Sequence, residues 1–480
     1  MNRHYIDGRW QAAPGTATSR RVLNPATEQP VARLRMAARD DVENAIAAAR
    51  RAFTDFARTD IRQRAALLRR IADLYERRLD EIALAITTET GAPYEQRAKR
   101  LDAPAGLRHF RAAAMQMPCE ADTPSEAGLR LREAAGVCAL ITPWHGAVDH
   151  IAGRLAPALL AGCTVLVKPS NLAPLSAHLL AEIVHEAGAP AGVFNLIHGR
   201  EAETNRWIAT HPQVDMVSFA GSASVAASLV RDSAAAPKQV SIEICRRPTD
   251  LLLDGAAIAR AVAHSVRAAM CHGGTCADSP SRLLVPAAML DEAARLASDA
   301  VTRLTVGDPL DARTAVGPIA GEALHRKWQS LLAARIDAGA ALLAGGPGRP
   351  RDLIQGYYAR PTVFAAASDE TRFTRDDDFG PMLTLVPYRD EREAIALVDH
   401  ARAATARIWS GDPQRAGALA RRLRAGSVRL NDAGVDATTS RSARAARIGY
   451  RHDDAPDDFT KPRTITGAAG GRTSHSSTRS

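Results

Sequence analysis

Six cysteines in 480 residues, at positions 119, 138, 163, 245, 271 and 276, are too few and too irregularly spaced for a disulfide framework. Reduced thiols are expected, each either core filler or reagent. No apolar run reaches the roughly 18 residues of a membrane span, and Met1–Trp10 is polar, without the apolar core of a secretory signal. A cytoplasmic protein without membrane association is expected. Lysine is scarce, at positions 99, 168, 238, 327 and 461 only, so nearly all of the 62 basic residues are arginines scattered along the chain. The formal charge of +9 therefore forms no basic block, and nucleic acid is not an expected partner. There is no internal repeat and no Gly-x-Gly-x-x-Gly after a strand-like run. With 46% hydrophobic and 24% charged residues, the chain has the means to bury the cores of two or three globular domains.

Periodicity organises what is present. Val42, Ile46, Ala49 and Phe53 recur at helical steps and predict a helix over Asp40–Arg58; the same spacing continues over Ile61–Thr87. From residue 136 the pattern changes. Strand-like runs at Gly136–Ile141, Thr164–Lys168, Val193–Ile197, Val214–Ala220 and Gln239–Glu243 are separated by helix-like Ile151–Leu160, Leu175–Ala187, Glu201–Thr210 and Ala223–Ser233. This alternation predicts a parallel sheet covered on both faces, with ligands beyond the carboxyl ends of its strands. Those ends are Thr142–His145, Lys168–Asn171, Gly199–Arg200, Gly221–Ser222 and Glu243. A second α/β region follows, with helix-like Ala256–Met270 and Asp291–Arg303 and strand-like Arg282–Val285, Pro361–Ala365, Met382–Tyr388, Ile408–Ser410 and Ser427–Leu430; glycine-rich Gly339–Gly348 carries a turn. Thr466–Ser480 has the composition of a disordered tail.

The strand ends carry recognisable motifs. Tyr5-Ile6-Asp7-Gly8-Arg9-Trp10 and Asn24-Pro25-Ala26-Thr27 come first; Leu155–Val165 runs into Lys168-Pro169-Ser170; then come His211-Pro212, Phe219-Ala220-Gly221-Ser222, Gly307-Asp308-Pro309-Leu310, Pro361-Thr362-Val363-Phe364 and Phe379-Gly380-Pro381. This collinear set resembles the aldehyde dehydrogenase superfamily over roughly residues 5–432. The resemblance implies an α/β fold of two doubly wound parallel-sheet domains with a small bridging and oligomerisation element. Its expected divisions are a nucleotide-binding domain at 1–121 and 138–244, a bridging strand segment at 122–137 and a catalytic domain at 245–432. A divergent C-terminal segment follows at 433–465, then the tail at 466–480. It further implies a small-molecule aldehyde substrate, NAD or NADP as cofactor, and a homodimer or homotetramer.

Aldehyde oxidation of this kind needs a nucleophile, a base and a donor for the adduct's oxygen. The resemblance assigns the nucleophile to Cys276, in Gly273-Gly274-Thr275-Cys276, with Cys271 as its rival. It assigns the base for thioester hydrolysis to Glu243. The family usually follows this glutamate with Leu-Gly-Gly; here Ile244-Cys245-Arg246 stand instead, and Arg246 is placed to fill space or to pair with Glu243. The oxyanion donor is usually an asparagine after Thr-Pro-Trp. Here Thr142-Pro143-Trp144 is followed by His145, readable as a substitute donor, an acid/base group or a mark of impaired catalysis. Gly274 stands where the family usually has glutamine.

For the cofactor, the resemblance implies contacts from Ile141, Thr142, Pro143, Trp144, Lys168, Ser170, Asn171, Gly199, Gly221, Ser222, Asp377 and Phe379. Asn171 replaces a frequent glutamate and removes a charge that would repel a 2′-phosphate, so NADP is expected to be tolerated. Asp377 replaces a glutamate and keeps the carboxylate one methylene shorter. Gly221-Ser222 opens a helix whose free N–H groups would face the pyrophosphate. No metal is expected, because Cys271, His272, Cys276 and Cys245 match no standard zinc spacing. A thiol-acylating relative is disfavoured by Glu243. The remaining alternative is a catalytically weak or inactive relative that binds nucleotide or a protein partner.

Overall fold

The computed structural model describes residues 3–12, 18–116, 122–125, 128–274, 279–366, 379–400, 405–431 and 456–465. The expected alternation forms the first sheet, whose strand order is Gln239–Ile244, Met216–Gly221, Val137–Ile141, Thr164–Lys168, Phe194–Leu196, Arg3–Ile6 and Arg9–Ala12. The first five run parallel, and the N-terminal hairpin adds two antiparallel strands at one edge. Val137–Ile141 and Thr164–Lys168 are buried at every position, which is why they read as continuous apolar runs rather than alternating ones. One face packs under helices Ala147–Ala161 and Pro174–Glu186 through Leu155, Leu159 and Leu180. The other packs under Arg39–Phe56, Glu201–Thr210 and Ala223–Ser233 through Ile46, Ile208 and Leu229.

The second sheet has the order Ala341–Ala344, Thr362–Ala365, Met382–Tyr388, Arg282–Pro286, Thr249–Leu252, Thr405–Trp409 and Ser427–Leu430, parallel except for its first strand. Helices Ile258–Met270 and Leu290–Thr302 cover one face; Glu391–His400 and Pro413–Ala420 cover the other. Strands Asp122–Ser125 and Gly128–Ala134 pair antiparallel with each other and with Thr460–Ile465, joining the expected bridging stretch to the end of the C-terminal segment. Among the described residues, no helix is long and apolar enough to cross a membrane.

Three local readings are corrected. The expected helix over Ile61–Thr87 is two helices, Ile61–Arg77 and Leu79–Thr90, because Arg78 leaves helical geometry at φ −106° and ψ 17°. The first is capped by Asp60, which accepts from the Arg62 amide. The Gly339–Gly348 stretch carries its turn and also the edge strand Ala341–Ala344, which pairs with Thr362–Ala365. Val137, expected in the bridging segment, opens a central strand of the first sheet. Residues 433–455 and the 466–480 tail lie outside the described residues.

Candidate active site

Three of the five predicted strand ends meet at one cavity of about 340 Å³. Ile141, Thr142, Pro143, Trp144, His145, Lys168, Ser170, Gly221, Ser222 and Phe379 all line it. Asn171 and Gly199 lie beside it, with Asn171 Nδ2 donating to the Gly199 carbonyl at 2.8 Å. Asn171 Oδ1 is buried and accepts no hydrogen bond from the described residues, an orphan acceptor suited to a sugar hydroxyl. Ser222 caps the helix Ala223–Ser233 by accepting from the Val225 amide at 3.5 Å. That helix N-terminus opens on the cavity, a setting that favours an anion. A side chain at Gly221 would meet the Phe219 ring, its Cβ at 2.6 Å, so only glycine lets the backbone pass here. These features fit the ribose and pyrophosphate of a dinucleotide.

Lys168 is almost fully buried; burial lowers its pKa, opposed by the Glu201 carboxylate. Glu201, Asn205 and Lys327 also line the cavity and were not anticipated. Glu201 and Asn205 follow the predicted strand end at Gly199, where a wider reading of that end would have found them. Lys327 comes from the helix Glu322–Asp337, and nothing local marks it.

Glu243 lies in the strand Gln239–Ile244 and is 7% exposed. Its buried partner is Arg154, from the helix Ala147–Ala161, whose Nη2 donates to Glu243 Oε2. Arg154 also donates through Nε to Ser218 Oγ at 3.2 Å and through Nη1 to the His150 carbonyl at 3.1 Å. Glu243 thus pairs with an arginine 89 residues away in sequence, one that the expectation for Arg246 does not name. Arg154 precedes the motif Leu155–Val165, and its role was not read from it.

His145 is buried among rings. Its centroid is 5.8 Å from Trp144, 5.5 Å from His150 and 5.5 Å from Phe379. Burial, then the nearby His272, push its pKa down to about 4, against the Glu243 carboxylate. It is neutral near pH 7, so one ring nitrogen carries a proton that can be donated.

The chain toward the expected nucleophile leaves helix Ile258–Met270 through Cys271, His272, Gly273 and Gly274. His272, Gly273 and Gly274 have φ of 52°, 60° and 70°. His272 holds this unusual backbone through its Nε2, 3.0 Å from Thr90 Oγ1. Gly274 is the departure that the geometry explains: a Cβ there would lie 1.7 Å from the Gly380 carbonyl oxygen. Glutamine would not fit. Cys271 is half-buried, with Sγ 3.8 Å from Arg97 Nη1. Cys276 and Asp377 lie outside the described residues.

One grouping is unanticipated. Ligand-type atoms of His145, His150 and Cys245 all lie within 4.8 Å of one another. No metal is expected from the spacing of Cys271, His272, Cys276 and Cys245; the set brought together among the described residues shares only Cys245 with them.

Comparison with known proteins agrees with this layout. The family model described as "Aldehyde dehydrogenase family" matches residues 10–449. The chain is 43% identical over 439 residues to a 3-succinoylsemialdehyde-pyridine dehydrogenase of Pseudomonas sp., covering 90% of this chain and 91% of that relative. Among solved structures it superposes with a TM-score of 0.92 and 37% identity on a cysteine-to-alanine mutant of aldehyde dehydrogenase C from Pseudomonas syringae in complex with NAD+ and octanal, covering 98% of this chain and 97% of that one. A betaine aldehyde dehydrogenase from Staphylococcus aureus in complex with NAD+ superposes with a TM-score of 0.90 and 26% identity, covering 97% and 94%. Over nearly its whole length, therefore, this chain belongs to the aldehyde dehydrogenase family, enzymes that use NAD or NADP.

Proposed function

We propose that the protein oxidises an aldehyde to a carboxylic acid through a covalent intermediate on Cys276. The observation that carries this reading is the buried Glu243 carboxylate at the strand end beside the cavity lined by Lys168, Gly221 and Ser222. The Cys276 thiolate adds to the carbonyl carbon to give a thiohemiacetal, and the thiol proton leaves to solvent. His145 and the Cys276 backbone N–H donate to the adduct's oxygen. The nicotinamide, when bound, supplies the two-electron acceptor that takes the aldehyde hydrogen with its bonding pair, leaving a thioester. Glu243 takes a proton from water, which adds to the thioester; the carbon–sulfur bond breaks and the acid departs. Arg154 holds the Glu243 carboxylate in place. Lys168, Asn171, Gly221 and Ser222 would hold the adenosine and pyrophosphate, and Phe379 and Asp377 would serve the nicotinamide ribose. The apolar character of Trp144 and Phe379 favours an uncharged aldehyde carbon at the inner end. Assembly as a homodimer or homotetramer in the cytoplasm belongs to the same reading.

The test is reduction of NAD and of NADP over an aldehyde panel, with Cys276→Ala and Glu243→Gln beside the parent. The parent reduces cofactor in steady state, Glu243→Gln gives one equivalent and then stalls, and Cys276→Ala gives none. A parent no faster than Cys276→Ala would instead support a nucleotide-binding relative without activity. Labelling of Cys271 rather than Cys276 by a thiol probe would overturn the nucleophile.

A further inference from the structure

We propose that His145, His150 and Cys245 form a site for a divalent transition metal ion of the zinc type at the inner end of the cofactor cavity. Their ligand atoms lie within 4.8 Å of one another, and both histidines are 4% exposed. Cys245 is half-buried and lines the cavity together with His145, so an ion has an entry path.

The fold, and not any spacing in the sequence, makes this set. His145 and His150 flank the start of helix Ala147–Ala161, which follows the strand Val137–Ile141. Cys245 follows the strand Gln239–Ile244. Both strands pair with Met216–Gly221, one on each side, so their carboxyl ends stand roughly 10 Å apart. The side chains close that gap from opposite directions.

The donor set suits zinc: two imidazoles and a thiolate with one position open. Tetrahedral ligation brings ligand atoms to roughly 3.5 Å from one another, so binding asks for side-chain movements on the order of an ångström. Cys245 ligates as thiolate and its proton passes to solvent. Arg154 Nη1 stands 3.3 Å from His150 Nδ1, and its charge is balanced by Glu243. Two of the three ligands are departures from the family pattern: His145 replaces the usual asparagine and Cys245 a usual glycine. Changes that look unrelated along the chain therefore converge on one point in space. An ion held there would exclude the nicotinamide end of the cofactor and shut the enzyme reversibly; this consequence rests on the proposed function, whereas the site itself does not.

Cobalt(II) is the probe. The full chain, freed of metal by a chelator, is titrated with cobalt and followed by absorption. The expected result is one ion per chain, with the visible bands of four-coordinate cobalt and a thiolate charge-transfer band in the near ultraviolet. Cys245→Ser abolishes the charge-transfer band, His150→Ala weakens binding by at least about tenfold, and Cys271→Ser leaves both unchanged. Absence of the charge-transfer band overturns the site, as does a band that survives in Cys245→Ser and vanishes in Cys276→Ala. Saturating zinc is expected to weaken NAD binding at least about tenfold in the parent and not in Cys245→Ser, a steric exclusion of the kind that differential binding requires. Because the spectrum needs no turnover, a chain that binds cobalt but oxidises no aldehyde even when freed of metal would refute the proposed function and not the metal site.

Discussion

Arg154 and Glu243, on different elements and both nearly inaccessible to water, are joined by a hydrogen-bonded ion pair beneath the cofactor cavity. A buried pair is weak evidence of net stabilisation, because each ion has lost its hydration; breaking one half is nonetheless costly, since it strands the other. Arg154→Met is expected to destabilise the fold by about 3–5 kcal/mol. The double variant Arg154→Met/Glu243→Leu is expected to recover most of that loss while remaining unable to hydrolyse a thioester. Denaturant unfolding of the three proteins checks this; equal losses in the single and double variants would show that packing rather than charge is responsible.

Buried neutral histidines make stability fall in acid. Burial lowers the pKa of His145 to about 4 and of His272 to about 3. His4 and His178 are likewise lowered to about 4, by burial first. The unfolded chain protonates these groups near pH 6.5 while the folded chain does not, so between about pH 6.5 and pH 4 the unfolded state binds more protons and gains. Each histidine contributes about 1.4 kcal/mol of lost stability per pH unit in that window. The melting temperature is expected to be flat from pH 7 to 8 and to drop steeply below about pH 6. His145→Asn should flatten the slope by one proton, measured by thermal unfolding across pH; an unchanged slope would place the His145 ring in water.

Gly274 leaves no room for the residue type usual at its position. Its φ of 70° and a Cβ position 1.7 Å from the Gly380 oxygen oppose any side chain. Gly274→Gln is expected to cost at least about 2 kcal/mol and to lower activity by displacing the loop toward Cys276, rather than to improve it. A variant of parental stability and rate would contradict the close backbone approach.

Cofactor choice should respond to Glu201, the acid that lines the Lys168 end of the cavity among the described residues. Asn171 carries no charge there, whereas Glu201 lines the cavity and acts on Lys168. Glu201→Gln is expected to lower the KM for NADP several-fold more than that for NAD, because a carboxylate repels a 2′-phosphate. Asn171→Glu should do the reverse. Steady-state kinetics with both cofactors decide it, and equal responses would place the 2′ position away from both residues.

Much of the layout was legible in the chain. Val137–Ile141 and Thr164–Lys168 announced themselves as apolar runs because a strand buried on both faces has no polar side to show. The helices of residues 39–90 were visible through their periodic apolar faces, though not the break at Arg78, where no glycine or proline signals the change. Strand Ala341–Ala344 escaped because it lies at an edge, half-exposed, between glycines that dominate the local signal. The strand-end rule located Thr142–His145, Lys168, Gly221 and Ser222 at a single cavity without any knowledge of contacts.

The sequence by itself determined the parallel-sheet architecture, the family, and the residue types offered for chemistry at each strand end, since these follow from patterns repeated within a few residues. Only the tertiary structure decided which arginine holds Glu243, which carboxylate stands by Lys168, why Gly274 must lack a side chain, and that His145, His150 and Cys245 share one point. Those pairings join segments up to about a hundred residues apart. Their distances are set by strand order and helix packing, and a one-dimensional pattern contains no term for either.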